Sequence, residues 1–180
     1  MIANDMVAFV MNDLATFGTG ILVFIVLLLS VIFRELRWVV LPIVACVATN
    51  LLMFGVLCGF DWRMTVITSN FVALLLIITL AISVHLIVRY RELEAEDPDR
   101  PSDVLAFETA KAMFRPCVYT VLTTIIAFAS LVISGIRPVI DFGWMMTVGV
   151  MLALAVTFLL VPAGMALGWG ARRSATSVDS

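Results

Sequence analysis

Long apolar runs broken by short polar turns set the pattern of this chain. Five runs, at about residues 17–33, 38–58, 67–88, 117–136 and 143–168, approach the ~20 residues a helix needs to cross a bilayer's hydrocarbon core. Lipid offers backbone amides no partners, so each run predicts a helix that satisfies its own hydrogen bonds. The expected fold is all-α: a polytopic membrane bundle of five transmembrane helices over residues 17–170. Residues 1–16 form a moderately apolar lead-in that suits an amphipathic helix, and 171–180 a polar tail.

The prolines and the one sizeable loop refine that pattern. Pro42 sits in the first turns of the second run and Pro116 opens the fourth, where a missing N–H costs little; Pro162 falls late in the fifth, where it kinks or ends the helix. Residues 89–116 make the loop. From Ser102 or Asp103, either a suitable N-cap, VLAFETAKAMFR predicts a helix whose apolar face is Val104, Leu105, Ala112 and Met113. Two readings stand for it: a helix lying along the membrane surface, or a connector that sets the distance between spans three and four.

Composition agrees with the pattern. The chain is 63% hydrophobic and 13% charged, with a mean hydropathy of +1.15, and a water-soluble domain carries about twice that charge. Where the charges lie matters more than their net of −2. Arg34, Arg37, Arg89, Arg91, Arg100, Lys111, Arg115, Arg172 and Arg173 fall on one side of the predicted spans, and only Arg63 and Arg137 on the other. The excess of basic residues marks the cytoplasmic side. Five spans then place the N-terminus outside and the C-terminus in the cytoplasm. An outside start without a charged leader fits a piece of a longer chain, with a helix and an extracytoplasmic domain before residue 1. Trp38, Trp62, Trp144 and Trp169 lie near the predicted interfaces.

The candidate chemistry is sparse. GxGxxG, GxxxxGK, CxxC and HExxH are absent, and no span holds an acidic side chain. Enzyme chemistry, a metal, a cofactor and a nucleic-acid partner are therefore not expected. Cys46, Cys58 and Cys117 are widely spaced in apolar surroundings and read as small hydrophobes. The third span enters through Thr68, Ser69 and Asn70 and carries His85, the one histidine. Ser69, Thr79 and Ser83 share a stripe at helical spacing, and His85 is turned nearly to the opposite face. An imidazole titrates near neutral pH, which makes His85 a candidate proton relay or headgroup contact; the alternative is that it reaches toward water from one turn inside the boundary. The fourth span bears a longer stripe of Thr120, Thr123, Thr124, Ala127, Ser130 and Ser134, suited to helix packing or to a hydrated path. Gly143, Gly149, Gly164 and Gly168 offer small surfaces on the fifth. Asn50, inside the second, requires a partner.

HLIVRYREL closing the third span, RPCVYTVLTTIIAFASLVIS opening the fourth and GIRPVIDFGWMMTVG before the fifth together resemble the RND superfamily of exporters. The nearest branch is the MMPL-type and patched-like proteins with a sterol-sensing-like five-helix unit. NDLATFGTGILVFIVLLLSVIFRELRW is similar to the family's second helix, where the chain returns from its extracytoplasmic domain. The resemblance covers nearly the whole chain. It implies helices two to six of one transmembrane half, without the extracytoplasmic domain, in a bacterial inner membrane. It further implies a second half or oligomer partner, and proton-coupled export of hydrophobic or lipid-like substrates. One departure matters. Where the family's third-span counterpart usually carries an acidic residue, this chain has Ala81, Ile82 and Ser83. His85 then substitutes, the other half carries the relay, or the chain is a lipid- or sterol-sensing module or an accessory subunit without its own transport cycle.

Overall fold

The computed structural model describes residues 36–59, 70–98 and 100–168, with scattered helical positions between 19 and 30. Four helices make up the described bundle: α1 (Leu36–Gly59), α2 (Phe71–Glu96), α3 (Ser102–Ser130) and α4 (Arg137–Gly168). All four are long and apolar enough to cross a membrane. The sequence predicts five; the first predicted span, 17–33, lies mostly outside the described residues, as do 1–16 and 171–180.

The helix ends are set by local chemistry. α2 runs on through RELEAE to Glu96, well past the apolar limit at 88, because Glu, Leu, Ala and Arg all favour helix. It stops at Asp97, whose N–H donates to the Leu93 carbonyl. α3 begins at Ser102 with Pro101, fixed in extended backbone, at its N-cap position, and the Leu105 N–H closes the first turn onto the Pro101 carbonyl at 3.1 Å. The segment that the sequence leaves between a surface helix and a connector is therefore continuous with the helix of the fourth predicted span. Pro116 lies inside α3 rather than at its start. The buried face of this extension is Leu105, Ala106 and Thr109, with Met113 half-buried against the core; Val104 and Ala112 point outward. Arg100 clamps the hairpin, reaching Asp97 at 3.0 Å and Glu108 at 2.7 Å, and Arg89 pairs with Glu92 along α2. These pairs are exposed and contribute at most about 1 kcal/mol each.

The α3–α4 turn is tight. A short 3-10 stretch, Leu131–Ile133, is followed by Gly135 at φ +75°, in the left-handed region that only glycine enters freely. α4 then continues through Pro162 to Gly168. Pro162 cannot donate to the Phe158 carbonyl, but Val161 and Met165, both fully buried, hold the helix on either side of it.

α4 packs against all three other helices, α2 does the same, and α1 and α3 flank them. The core runs along this axis through Met53, Phe71, Leu75, Leu86, Met145, Met146, Val150 and Met165. Trp38, which the sequence places at the membrane interface, is buried on α1 with its ring 5.4 Å from that of Tyr90. Trp144 is half exposed, and Trp62 and Trp169 fall outside the described residues. α3 is the most open helix, with only a narrow strip against the bundle.

Helices in lipid gain little from burying hydrocarbon, so close backbone approach carries their association. At Gly143 a Cβ atom would stand 2.7 Å from the Phe128 carbonyl oxygen and 3.1 Å from Leu131 Cβ, contacts that side-chain rotation cannot relieve. Gly143→Ala is therefore expected to destabilise the bundle by about 1–3 kcal/mol. Gly55→Ala, where nothing lies within 4 Å, is expected to be neutral or stabilising by up to ~1 kcal/mol through helix propensity. Thermal unfolding in detergent, comparing both variants with the parent chain, checks the pair.

Candidate functional site

Uncharged polar side chains gather at mid-depth in this bundle. Thr49 and Asn50 on α1, Thr79 and Ser83 on α2 and Thr157 on α4 are all buried, four of them completely. Cross-helix contacts set their levels. The Cys46 thiol reaches the Leu76 carbonyl at 3.6 Å, and Phe54 meets Phe71 edge-on with ring centres 5.5 Å apart, so α1 and α2 run antiparallel. Gly149 faces both Leu75 and Met53, and Gly164 faces Leu41, which makes α4 antiparallel to α1 and parallel to α2. Cys46 thus lies near Leu76, about one turn before Thr79, and extending the Gly149–Leu75 pair places Ser83 level with Thr157. At 1.5 Å per residue the five side chains fall within about two to three helical turns of one another along the bundle axis.

Lipid-embedded hydroxyls bond back to their own helix, and these obey that rule. Thr49 donates to the Ala45 carbonyl at 2.8 Å, Thr79 to Leu75 at 2.7 Å and Ser83 to Thr79 at 2.8 Å. The Asn50 amide donates to the Cys46 carbonyl at 2.9 Å. The three hydroxyl protons are thus committed and their oxygens turn acceptor lone pairs toward the bundle, while the Asn50 amide keeps a second N–H. Two buried atoms go further: Asn50 Oδ1 and Thr157 Oγ1 have no hydrogen-bond partner among the described residues. Asn50 Oδ1 thus lacks a donor and the Thr157 hydroxyl lacks both a donor and an acceptor, and each suits a water molecule, which can give and take a hydrogen bond.

The sequence-derived candidates divide. Thr79 and Ser83 lie in the buried layer. His85 does not: it is exposed on the outer side of α2, next to exposed Ala81 and Val88. The stripe on α3 faces outward as well, with Thr120 and Thr123 exposed and Thr124 half-buried. Thr120 donates to the Pro116 carbonyl, and Thr123 and Thr124 both donate to the Thr120 carbonyl. His85, the α3 stripe and the buried layer are therefore three separate places. Ser69 lies outside the described residues. Sequence reasoning passed over Thr49 and Thr157. A signal was present for Thr157, the sole hydroxyl in the apolar stretch from Val148 to Ala163.

Removing an unmatched buried polar atom without disturbing shape relieves a desolvation cost of about 1–3 kcal/mol. Asn50→Leu and Thr157→Val are therefore expected to hold or raise the unfolding temperature, by about 2–4 °C per kcal/mol relieved. Circular dichroism melts in detergent read this directly, and a drop of several degrees would mean that both atoms are partnered in the folded protein.

A family model described as MMPL family matches residues 1–177. Neither the curated proteins nor the solved structures contain a significant match to the chain.

Proposed function

The chain belongs to the MMPL family, and on that premise we propose that its helices are the transmembrane region of an RND/MMPL-like exporter that moves hydrophobic or lipid-like substrates. It is a multi-pass, transporter-like membrane region. The observation that carries the reading is the buried polar layer. A bundle built only to anchor a protein has no need of five polar side chains at mid-depth, two of them short of a partner, because each such atom costs stability. In a transporter the same layer lets helices change partners during the cycle, with water or substrate donors completing it in one of the states. The five-helix unit is of the patched-like, sterol-sensing type, pairs with a second half or oligomer partner, and performs no enzymatic step.

The membrane is a bacterial inner membrane, with the α2–α3 hairpin in the cytoplasm. The basic residues around it, Arg89, Arg91, Arg100, Lys111 and Arg115, support that orientation. The His85 ring lies on the face of α2 turned away from Thr79 and Ser83, which favours a proton path that bypasses it. A relay supplied by the partner half supports coupling instead. A second reading, a lipid- or sterol-sensing module or accessory subunit without its own transport cycle, draws on the absence of any ionisable side chain from the layer among the described residues.

Efflux in two variants and a labelling experiment test the proposal. In the complete protein, Asn50→Leu combined with Thr157→Val is expected to cut efflux of a hydrophobic dye by about tenfold, equivalent to ~1.4 kcal/mol on the rate-limiting step. His85→Ala should leave proton-driven efflux within about twofold, below ~0.5 kcal/mol on the same scale. Undiminished efflux in the double variant favours the sensing module, and loss of efflux in His85→Ala returns the relay to that residue. Single cysteines in a background without Cys46, Cys58 and Cys117 check orientation. Those at 97–103 should react only from the cytoplasm and one at position 61 only from outside.

A further inference from the structure

An apolar groove of about 360 Å³ runs between α3 and α4 on the outside of the bundle, within the ~300–1,000 Å³ range of ligand sites. Phe114, Val118 and Leu122 line it from α3, and Met151, Leu154 and Phe158 from α4. One end is closed by the Phe114–Phe158 pair, edge-to-face with ring centres 5.7 Å apart. That end faces the α2–α3 hairpin, since α3 runs from the hairpin through Phe114 toward Leu122.

Two cations flank the closed end: Lys111 stands about one turn before Phe114, and Arg115 follows it directly. Lys111 precedes Val118 by seven residues and Arg115 precedes Leu122 by seven. A seven-residue step is nearly two full helical turns, so each cation continues a stripe that lines the groove, about 10 Å nearer the hairpin. Helical side chains also lean toward the N-terminus, which here is the hairpin end, so both cations extend to where lipid headgroups lie. Both are exposed, and neither has an ion-pair or hydrogen-bond partner among the described residues. Glu108, one turn before Lys111, is already held by Arg100 at 2.7 Å. No carboxylate among the described residues lies within ion-pair distance of either cation.

We propose that the α3–α4 groove binds an anionic phospholipid of the surrounding membrane, one acyl chain lying along the groove and the phosphate resting on Lys111 and Arg115. Charge selects the occupant. A neutral lipid or a second apolar helix fills the groove equally well but leaves the two cations unmatched, whereas basic clusters at the ends of membrane helices favour anionic headgroups. The site lies away from the polar layer and stands whether the chain exports, senses or assists.

The purified chain, equilibrated in nanodiscs with equal parts of anionic phosphatidylglycerol and zwitterionic phosphatidylcholine of matched acyl chains, tests this by native mass spectrometry after release into detergent. Retained lipid should favour phosphatidylglycerol by about thirty-fold, some fivefold from each cation. K111Q/R115Q should bring the ratio close to one, and K111R/R115K should keep most of it. Val118→Trp, which fills the groove, should reduce retention of both lipids. Equal retention by the parent chain, a preference that survives K111Q/R115Q, or a lipid-free dimer whose contact is lost in Val118→Trp would each overturn the proposal. Matching helical circular dichroism across the variants confines any change to the site.

Discussion

Absence of water is the constraint on which this structure depends. Inside a bilayer no solvent completes a stray hydrogen bond, so every backbone amide and nearly every hydroxyl must find its partner within its own helix. The four described helices obey this down to individual side chains: Thr49, Thr79, Ser83, Thr120, Thr124 and Thr147 each give a proton to the carbonyl four residues back. Under that rule a buried atom left unmatched stands out. Asn50 Oδ1 and Thr157 Oγ1 draw attention to mid-depth of the bundle for that reason.

The same constraint explains how the bundle is held. Hydrocarbon burial gives no advantage over lipid contact, so the helices associate through fit. Gly143 lets α4 lie against the Phe128 carbonyl, and Gly149 and Gly164 receive Leu75 and Leu41. These contacts make α4 the axis of the bundle and bring Thr157 to the level of Ser83. Outside the apolar zone different forces take over. The α2–α3 hairpin is drawn together by Arg100 with Asp97 and Glu108 and by Leu105 and Ala106, buried against the core.

Function follows from where polarity is permitted. A polar layer sealed within the core, a histidine on the outer surface and a threonine stripe on the open side of α3 are three different environments. Only the first is enclosed by several helices whose rearrangement a transport cycle can use. The groove occupies a fourth place, on the outer face between α3 and α4, with its two cations at the end nearer the hairpin. This MMPL-family region thus keeps its buried polar layer apart from its outward-facing surface.

By itself the sequence determined the all-helical membrane architecture, because runs such as Trp38–Cys58 and Gly143–Gly168 have no other way to satisfy their backbones in lipid. It also determined that Thr79 and Ser83 share a face that excludes His85, since that depends only on the helical repeat. Tertiary structure alone decided which faces point inward. Thr120 and Thr123 have the same stripe pattern as Thr79 and Ser83, yet they look outward, because α3 lies at the flank and α2 at the centre. Trp38 has the position of an interface residue and is buried against Tyr90 instead. Pro116 carries the local signature of a helix start, but Leu105, Ala106 and Thr109 pack well enough to carry one helix straight through it. Periodicity says which residues travel together around a helix; the neighbours that helix acquires say which way they face.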